Sequence, residues 1–585
     1  MANSPNEINE VPQEREKKWA TFRSHFNFSN SLPIAVGVLA SLLAVAPMLA
    51  RKGWPLNHDG LAFVFRMVVT ARRFALGELI PVWSSVLQGG FGSPLPGLYH
   101  KAFSYVSAFA YLISQNSKTG IVTAFVIFTT LAVWGVAKAL RWTSPDSNIA
   151  LPSAVAGILL VFSSYATTDW LIRGAFAEYA AIAAICLMMI PTLKLISTGR
   201  CSFWFTPSIT VVFLSHSGIA LFTMPLLAIS FAMALYWHPQ SRREILKRGL
   251  LNAIFTAIVC LPFVAPILAF RGSTDDSGFL NPGMQPAENF KSFSSYLWDK
   301  DWSWGDWRDV PTVQFDLYTL PLLAIACGIA FRHRHDNLFD QWRRCLVFLL
   351  VAFTVYFALQ MRFSLWLYEF VPGLRYIQFP WRLQSFNIVF VSLIAGIILV
   401  YAREHMPRLT WIVGGMLMIA STIFHLPIIS GIRYEWLPEM QVFKDDRVDY
   451  LAGGEFGPAP PDGRSFKQWE YLAQSMTMPL AGECTIINRL PEATVETTQI
   501  KFEVDCRRAG VAQLPIFMMP GVEVNNANGA SEPLRSCDDP RLRVNVPQGK
   551  STVVVDLPTW TGVVSSIRSG ERADRCEKTE IPTSI

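Results

Sequence analysis

Long apolar runs separated by short polar joints fill the first three quarters of the chain. They fall at 31–50, 119–140, 150–166, 175–194, 205–216, 218–236, 249–270, 316–333, 344–361, 384–402 and 409–428. Most approach the roughly 20 residues an α-helix needs to cross a hydrocarbon core, and together they predict about eleven transmembrane helices. A twelfth apolar stretch, 98–113 (LYHKAFSYVSAFAYLI), competes with them. Charge decides its place. Arg15, Lys17, Lys18 and Arg23 precede the first run, and Lys138 with Arg141, Lys194 with Arg200, Arg242, Arg243, Lys247 and Arg248, Arg332, Arg334, Arg343 and Arg344, and Arg403 with Arg408 occupy alternate joints. Cytoplasmic joints are the ones rich in Lys and Arg, and all of these fall on one side only if 98–113 does not cross. The pattern therefore predicts a surface or re-entrant helix at 98–113, a cytoplasmic N-terminal segment 1–30, and a C-terminus on the opposite side.

Beyond 429 the period of the pattern changes from helical to alternating, as in Gln499-Ile500-Lys501-Phe502-Glu503-Val504 and in Ser551 to Leu557. Alternation bounded by turn residues predicts strands and a small β-sandwich. The expected organisation is a membrane domain over 31–428 with a large outer loop at 51–118, followed by an extracytoplasmic β-rich domain over 429–585. Four of the nine cysteines, Cys484, Cys506, Cys537 and Cys576, lie in this tail, and the others lie in or beside apolar runs. An even number on an oxidising side predicts two disulfides in one of three pairings. Zinc is disfavoured because neither a CxxC nor clustered histidines accompany them.

Composition removes whole classes of function. With 51% hydrophobic, 13% aromatic and 16% charged residues and a mean hydropathy of +0.31, the 585-residue chain is too apolar for a soluble enzyme. Its net charge of +6 sums over the two sides of a membrane, and no basic run with interleaved aromatics points to nucleic acid. The N-terminal segment shows no cleavage pattern and leads into an uncleaved first span.

Chemistry has to come from the polar stretches that this topology gathers on the outer side. The turn Asn57-His58-Asp59-Gly60 follows the first span directly, so it lies at the membrane surface. After it, Phe63, Arg66, Met67 and Arg72-Arg73 recur at helical spacing, and the Gly89-Gly90-Phe91-Gly92-Ser93-Pro94 turn folds the chain back, which predicts an amphipathic helix and a compact loop lying on the membrane. Three acids, Asp59, Asp169 and Glu178, have basic companions in Arg66, Arg72, Arg73, Arg173, Arg375 and Arg382, together with His58 and His216. Each acid also reads as a solvated or salt-bridged loop residue, and Glu178 as a helix-dipole partner at the start of a span. His216, in a turn between two apolar runs, reads equally as a buried hydrogen-bonded histidine. Arg375, Gln378 and Arg382 in GLRYIQFPWRLQS are either an interfacial anchor or a phosphate-binding fork. The 271–315 loop, with Trp298, Asp301, Trp302, Trp304 and Trp307, suggests an interfacial lid touching lipid head groups or a sugar face, or an anchor alone.

Asn57-His58-Asp59 with its arginine-rich helix, Glu78 to Trp83 with the Gly-Phe-Gly-Ser-Pro turn, IRGAFAE at 172–178, LSHS at 214–217, IQFPWR at 377–382 and the Met519-Pro520-Gly521 turn resemble the bacterial membrane family labelled 6-pyruvoyl-tetrahydropterin synthase-related. That family in turn resembles the glycosyltransferase C-type (GT-C) fold of integral membrane glycosyltransferases. The resemblance covers most of the chain. The pterin label finds no support in the residues, which contain no histidine triad of a zinc-dependent soluble synthase. The resemblance implies a polyprenyl-phosphate-linked sugar as donor, an envelope glycan or lipid as acceptor, an active site outside the cytoplasmic membrane, and an acid in the first outer loop acting as general base or metal ligand. That role maps onto Asp59, with His58 beside it. A second acid directly next to Asp59 is absent, so a divalent metal would have a weak site here.

Nucleotide sugars are cytoplasmic, so an outer-face transferase needs a donor carried by a lipid. Transfer requires a base for the acceptor hydroxyl and positive groups for the departing phosphate, which places Arg66, Arg173, Arg375 and Arg382 as donor-phosphate candidates. Two other classes remain open. A transporter of lipid-linked glycans predicts charged residues inside spans and internal repeats, and the sequence offers few of the first and none of the second. A non-catalytic protein of envelope glycan assembly or binding would keep the fold without the chemistry.

Overall fold

The protein is described from a computed structural model over residues 28–144, 148–270, 273–274, 282–298, 313–334, 340–371, 373–431, 434–435, 484–492, 495–526, 529–531, 533–535 and 541–569. It is a polytopic α-helical membrane bundle carrying a C-terminal β-rich domain. The main helices are α1 Phe28–Ala50, α2 Gly60–Ala75, α3 Ala102–Ser114, α4 Ser117–Leu140, α5 Ala150–Val161, α6 Phe176–Thr198, α7 Phe205–Ser215, α8 Ser217–Trp237, α9 Arg242–Phe270, α10 Thr319–Arg332, α11 Asp340–Ala358, α12 Gln384–His405 and α13 Pro407–Gly431. Eight of them are long and apolar enough to cross a membrane, and α5 with the following Ser164–Arg173 segment, bent by 46°, makes a ninth.

Contacts at helix ends trace the three shorter apolar helices α3, α7 and α10. Lys101 N–H donates to Leu214 O, and Lys118 Nζ donates to Arg51 O at the end of α1. Both ends of α3 thus stay near the face on which the first span ends. At the far end of α8, His238 Nε2 contacts Ile196 O at 3.0 Å, so α7 and α8 return from the opposite face as a hairpin. Ser164 bonds Asp316 before α10, and His333 just after it meets Tyr401 near the end of α12.

Helices α4, α6 and α12 form the centre. Gly135 lets α4 approach α6 closely, since a Cβ there would lie 2.9 Å from the Cys186 backbone carbon. The margins are apolar and exposed, as at Leu250, Ile258 and Leu261 of α9 or Trp411, Met416 and Ile423 of α13, which suits helices facing lipid.

After the first span β1 (Trp54–Pro55) pairs antiparallel with β2 (Tyr434–Glu435), which follows α13. The β-rich domain has one sheet of five strands in the order β3-β4-β10-β6-β7 and one of three in the order β5-β9-β8. Its strands are β3 Cys484–Leu490, β4 Gln499–Cys506, β5 Gly510–Phe517, β6 Glu523–Asn526, β7 Gly529–Ser531, β8 Leu534–Arg535, β9 Arg541–Val546 and β10 Gly549–Asp556. Inward residues of both sheets, among them Phe502, Val504, Leu514, Ile516, Val544 and Val553, share one apolar core, as in a sandwich. Cys484 and Cys506 form one disulfide across β3 and β4. Cys537 and Cys576, expected to form the other, lie outside the described residues, as do Asp301, Trp302, Trp304 and Trp307. Trp298 is exposed.

The first loop departs from the sequence expectation of a helix lying on the membrane. Helix α2 is buried on nearly every side, Arg66 and Arg73 included. The reason is that α3, α4 and the loop residues Leu87 and Leu95 pack against it, while the β-rich domain holds its last turn through Arg73. Val82, Trp83 and Phe91 of the loop belong to the core of the β-rich domain, and Phe517 N–H donates to Phe91 O at 3.1 Å. Gly92, at φ +91°, is required there, because a Cβ would lie 2.2 Å from the Trp83 ring. Arg73, fully buried, is clasped by Glu78, by Glu496 at 3.4 Å and by Thr497 O at 2.7 Å, while Ser84 Oγ and Ser85 N–H donate to Glu496 at 2.9 and 2.8 Å.

Replacing Arg73 by Met leaves Glu496 buried without its cation, and breaking a buried pair in this way costs about 3–5 kcal/mol. Thermal unfolding in detergent and protease sensitivity of the β-rich domain are the readouts; an unchanged melt and digest would remove the clasp from this role. Under non-reducing conditions Cys484 and Cys506 are expected to resist a maleimide probe and to label after reduction.

Candidate active site

The turn Asn57-His58-Asp59-Gly60 is held by its backbone, which leaves its acid available. His58 N–H donates to Ile172 O at 3.4 Å and Asp59 N–H to Arg173 O at 2.8 Å. Asn57 Nδ2 donates to Leu171 O at 3.3 Å, and Asn57 Oδ1 accepts the Gly60 N–H at 2.9 Å. Gly174, at φ +69°, permits this approach: a Cβ there would lie 2.5 Å from Gly60 N and 2.8 Å from the Asn57 side chain. Asp59 occupies the N-cap of α2, yet its side chain makes no capping hydrogen bond. It is half-buried, as is His58.

Behind the turn lies an ionic cluster that the sequence presented as a loop from Asp169 to Glu178. The structure replaces the loop by a helical turn and keeps the acids salt-bridged, with Glu178 at the start of a span, as also expected. Residues 168–173 form a π-helical turn, Glu178 sits in the first turn of α6, and Asp169, Arg173 and Glu178 are 0%, 5% and 1% exposed. Such acids remain buried because arginines neutralise them. Arg173 Nη1 donates to Asp169 Oδ1 and, at 2.9 Å, to Glu178 Oε2. Arg382 Nε lies 3.4 Å from Glu178 Oε2. Tyr165 and Ser385 donate to Glu178 Oε1. The guanidinium groups also stack, Arg173 at 4.8 Å over Trp381 and Arg382 at 4.9 Å over Phe379. π-Helical turns concentrate at functional sites, and this one places Asp169 and Arg173 on the side that faces the turn. Asp59 acts electrostatically on both. Asp169 Oδ2 is buried without a hydrogen-bond partner.

The other expected residues divide. Arg66, 7% exposed, lies 3.7 Å over the Tyr99 ring, one side of a shell that continues through His100. His216 caps α8, with its Nδ1 accepting the Ile219 N–H at 3.2 Å, and its ring stacks on His100 at 4.2 Å. Gln378 takes φ +60°, and Phe379 N–H returns to Ile377 O, a γ-turn of the rarer, strained hand that sets the direction of the Arg382 segment. The Arg375 side chain lies outside the described residues.

Tyr165, Ser385, Trp381, His100 and Lys101 also belong to this region; Trp381 and Ser385 lie in the GLRYIQFPWRLQS stretch, and Tyr165, inside an apolar run, carried no signal. His100 and Lys101 carried a signal, two bases opening an apolar stretch. Among the described residues no group of three or more His, Cys, Asp and Glu could hold a metal ion.

Neither a family model nor a curated protein matches the sequence. Among solved structures the chain is similar to the Archaeoglobus fulgidus oligosaccharyltransferase tethered with an acceptor peptide, at 14% identity and a TM-score of 0.37, over 77% of this chain and 57% of that one. It is similar to oligosaccharyltransferase AglB of the same organism in complex with an inhibitory peptide and a dolichol-phosphate, at 13% identity and a TM-score of 0.36, over 75% and 59%. It is also similar to arabinosyltransferase EmbB of Mycobacterium smegmatis, at 9% identity and a TM-score of 0.35, over 96% and 65%. The matches thus span less than two thirds of each of these proteins, and they assign no role to any residue here.

Arg173→Met removes the cation shared by two buried acids. Loss of about 3–5 kcal/mol in stability is expected, read as a lowered melting temperature or as loss of folded protein from the membrane. A melt equal to that of the parent protein would show that the acids do not depend on Arg173.

Proposed function

We propose that the protein is a membrane glycosyltransferase that moves a sugar from a polyprenyl-phosphate donor to a glycan or lipid acceptor, on the face of the membrane that bears the β-rich domain. That face is the extracytoplasmic side of a bacterial inner membrane. The observation that carries this reading is Asp59, a half-buried carboxylate without a capping bond, fixed by its own backbone against a buried and neutralised ionic cluster at the mouth of a helical bundle. A general base needs that combination of a fixed position and an uncommitted oxygen.

In the reaction the acceptor hydroxyl gives its proton to Asp59 as its oxygen attacks the anomeric carbon of the donor. The bond from that carbon to the phosphate oxygen breaks, and the electron pair leaves with the lipid phosphate. Cations near the leaving group stabilise its charge. Arg66, Arg375 and Arg382 are our candidates for that role. Arg382 is ion-paired with Glu178 at 3.4 Å from Nε and donates Nη1 to Ile377 O, and its Nε is buried without a hydrogen bond. Arg173 serves a different end, since its guanidinium is taken up by Asp169 and Glu178 and its carbonyl holds the Asp59 backbone. His58, next to Asp59 in the chain, is a further candidate.

Asp59→Asn keeps size and hydrogen bonding and removes basicity, so transfer should fall by roughly 10²-fold or more. Folding should be spared, because the side chain is not part of a packed core. Glycolipid and glycan profiles of a deletion strain complemented with each variant give the measurement. Full complementation by Asp59→Asn at parental protein level would overturn the assignment and favour a non-catalytic protein of envelope glycan assembly.

A further inference from the structure

Between the Leu95–Leu98 turn and α3 the chain passes His100 and Lys101, which have no part in the scheme above. Nδ1 of His100 accepts the Ser217 N–H and Nδ1 of His216 accepts the Ile219 N–H, each at 3.2 Å. In the neutral forms both rings therefore carry their proton on Nε2. Among the described residues neither Nε2 has a hydrogen-bond acceptor. Two stacked rings thus bring two idle donors to the first turn of α8, a helix of 21 residues whose N-terminal end adds positive potential.

The charges around this point are all of one sign. The groups that act electrostatically on His100 are His216, Arg66, Lys101 and Arg382. The Lys101 ammonium is buried and donates to the Pro96 carbonyl, which accepts a hydrogen bond but does not neutralise a charge. The cavity beside it, about 20 Å³, is also lined by Arg66, Ser104 and Tyr105 and has no carboxylate on its walls, and the Tyr105 hydroxyl is buried without a partner. Burial brings the Lys101 ammonium down to about 7. Burial, and then its basic neighbours, hold His100 well below its ordinary value. Arg173 and Arg382 are in the opposite condition, sharing Asp169 and Glu178 between them.

We propose that His100, His216 and Lys101 form the receiving point for a phosphate group, with Arg66 and Arg382 to either side, and that this phosphate is the head of a lipid. The second part follows from a cavity on the other flank of the same segment, also about 20 Å³, where His100 and Lys101 meet Phe213 and Leu214 at the end of α7 and Phe263 and Ile267 of α9. One flank is basic and the other is apolar and open toward the membrane, since Ile267 is 36% exposed. Each cavity has the room of about one water, so phosphate oxygens enter while the rest of the head group and the chain stay outside. The inference rests on the lipid-phosphate reading above for the identity of the ligand only.

Farnesyl phosphate, farnesol and inorganic phosphate are titrated into the full-length protein in detergent. Farnesyl phosphate is expected to bind, and farnesol to bind far more weakly. Lys101→Met and His100→Gln should each weaken farnesyl phosphate by about 10- to 100-fold, the worth of one charge-assisted hydrogen bond, and Lys101→Arg should restore most of the loss. The ligand-free melting temperature of Lys101→Met should be unchanged or raised, because an unneutralised buried cation is removed; a purely structural lysine would lower it. An anion raises the proton affinity of Lys101 and His100, so binding takes up protons and affinity should fall as pH rises from about 6 to about 8.5.

Equal affinity in the parent and in both the Lys101→Met and His100→Gln variants, or affinity independent of pH, would overturn the proposal. So would loss of binding confined to Arg382→Ala, which would put the phosphate at that arginine and leave the transferase reading intact. Inorganic phosphate binding as tightly as farnesyl phosphate would overturn the lipid assignment and make the site one for the free ion. The fate of Asp59→Asn decides the transferase reading separately.

Discussion

A single guanidinium fixes the geometry on which the site depends. Arg173 binds Asp169 and Glu178 at once, with its face against Trp381, so the π-helical turn, the start of α6 and the approach to α12 are all held to one cation. Two carboxylates cannot share an apolar interior unless positive charge accompanies them. The same residue offers its backbone carbonyl to Asp59, so the acid that faces outward is set by the cluster that faces inward. Gly174, next in the chain, supplies the clearance. Position at Asp59 is thus a property of a rigid buried assembly and not of a surface loop.

Much of the membrane architecture could be read from the sequence because hydropathy and charge are local quantities. The apolar runs became helices near their expected limits, and the alternating tail became strands around a common core. Asp59 was singled out because a polar turn stands directly after an apolar run. What escaped was everything that depends on distance along the chain. Nothing in LSHS or LYHK shows that His216 will stack on His100, and nothing near Asp59 shows that its backbone will bond the Arg173 carbonyl. The burial of Glu178 escaped in part for the same reason: Arg173 is near it in sequence, but Arg382 and Ser385, which also face it, come from another joint several helices away.

The loop that follows Asp59 belongs structurally to two bodies. Helix α2 packs among membrane helices, while Trp83 and Phe91 complete the β-rich domain, and Arg73 joins the two through Glu496. The β-rich domain is therefore less an appendage than the outer wall of the first loop. Its three-stranded sheet reaches the loop through Phe517, and its five-stranded sheet reaches it through Arg489, which donates to Gly90 O at 2.8 Å.

The pairing of β1 with β2 joins the chain just after its first span to the chain just after α13. During synthesis the Asp59 turn leaves the ribosome early, but its strand partner and the apolar wall around Trp83 are translated only near the end. The outer wall of the first loop is consequently completed only after every span has been translated, and a chain cut before β2 carries that loop without its strand partner.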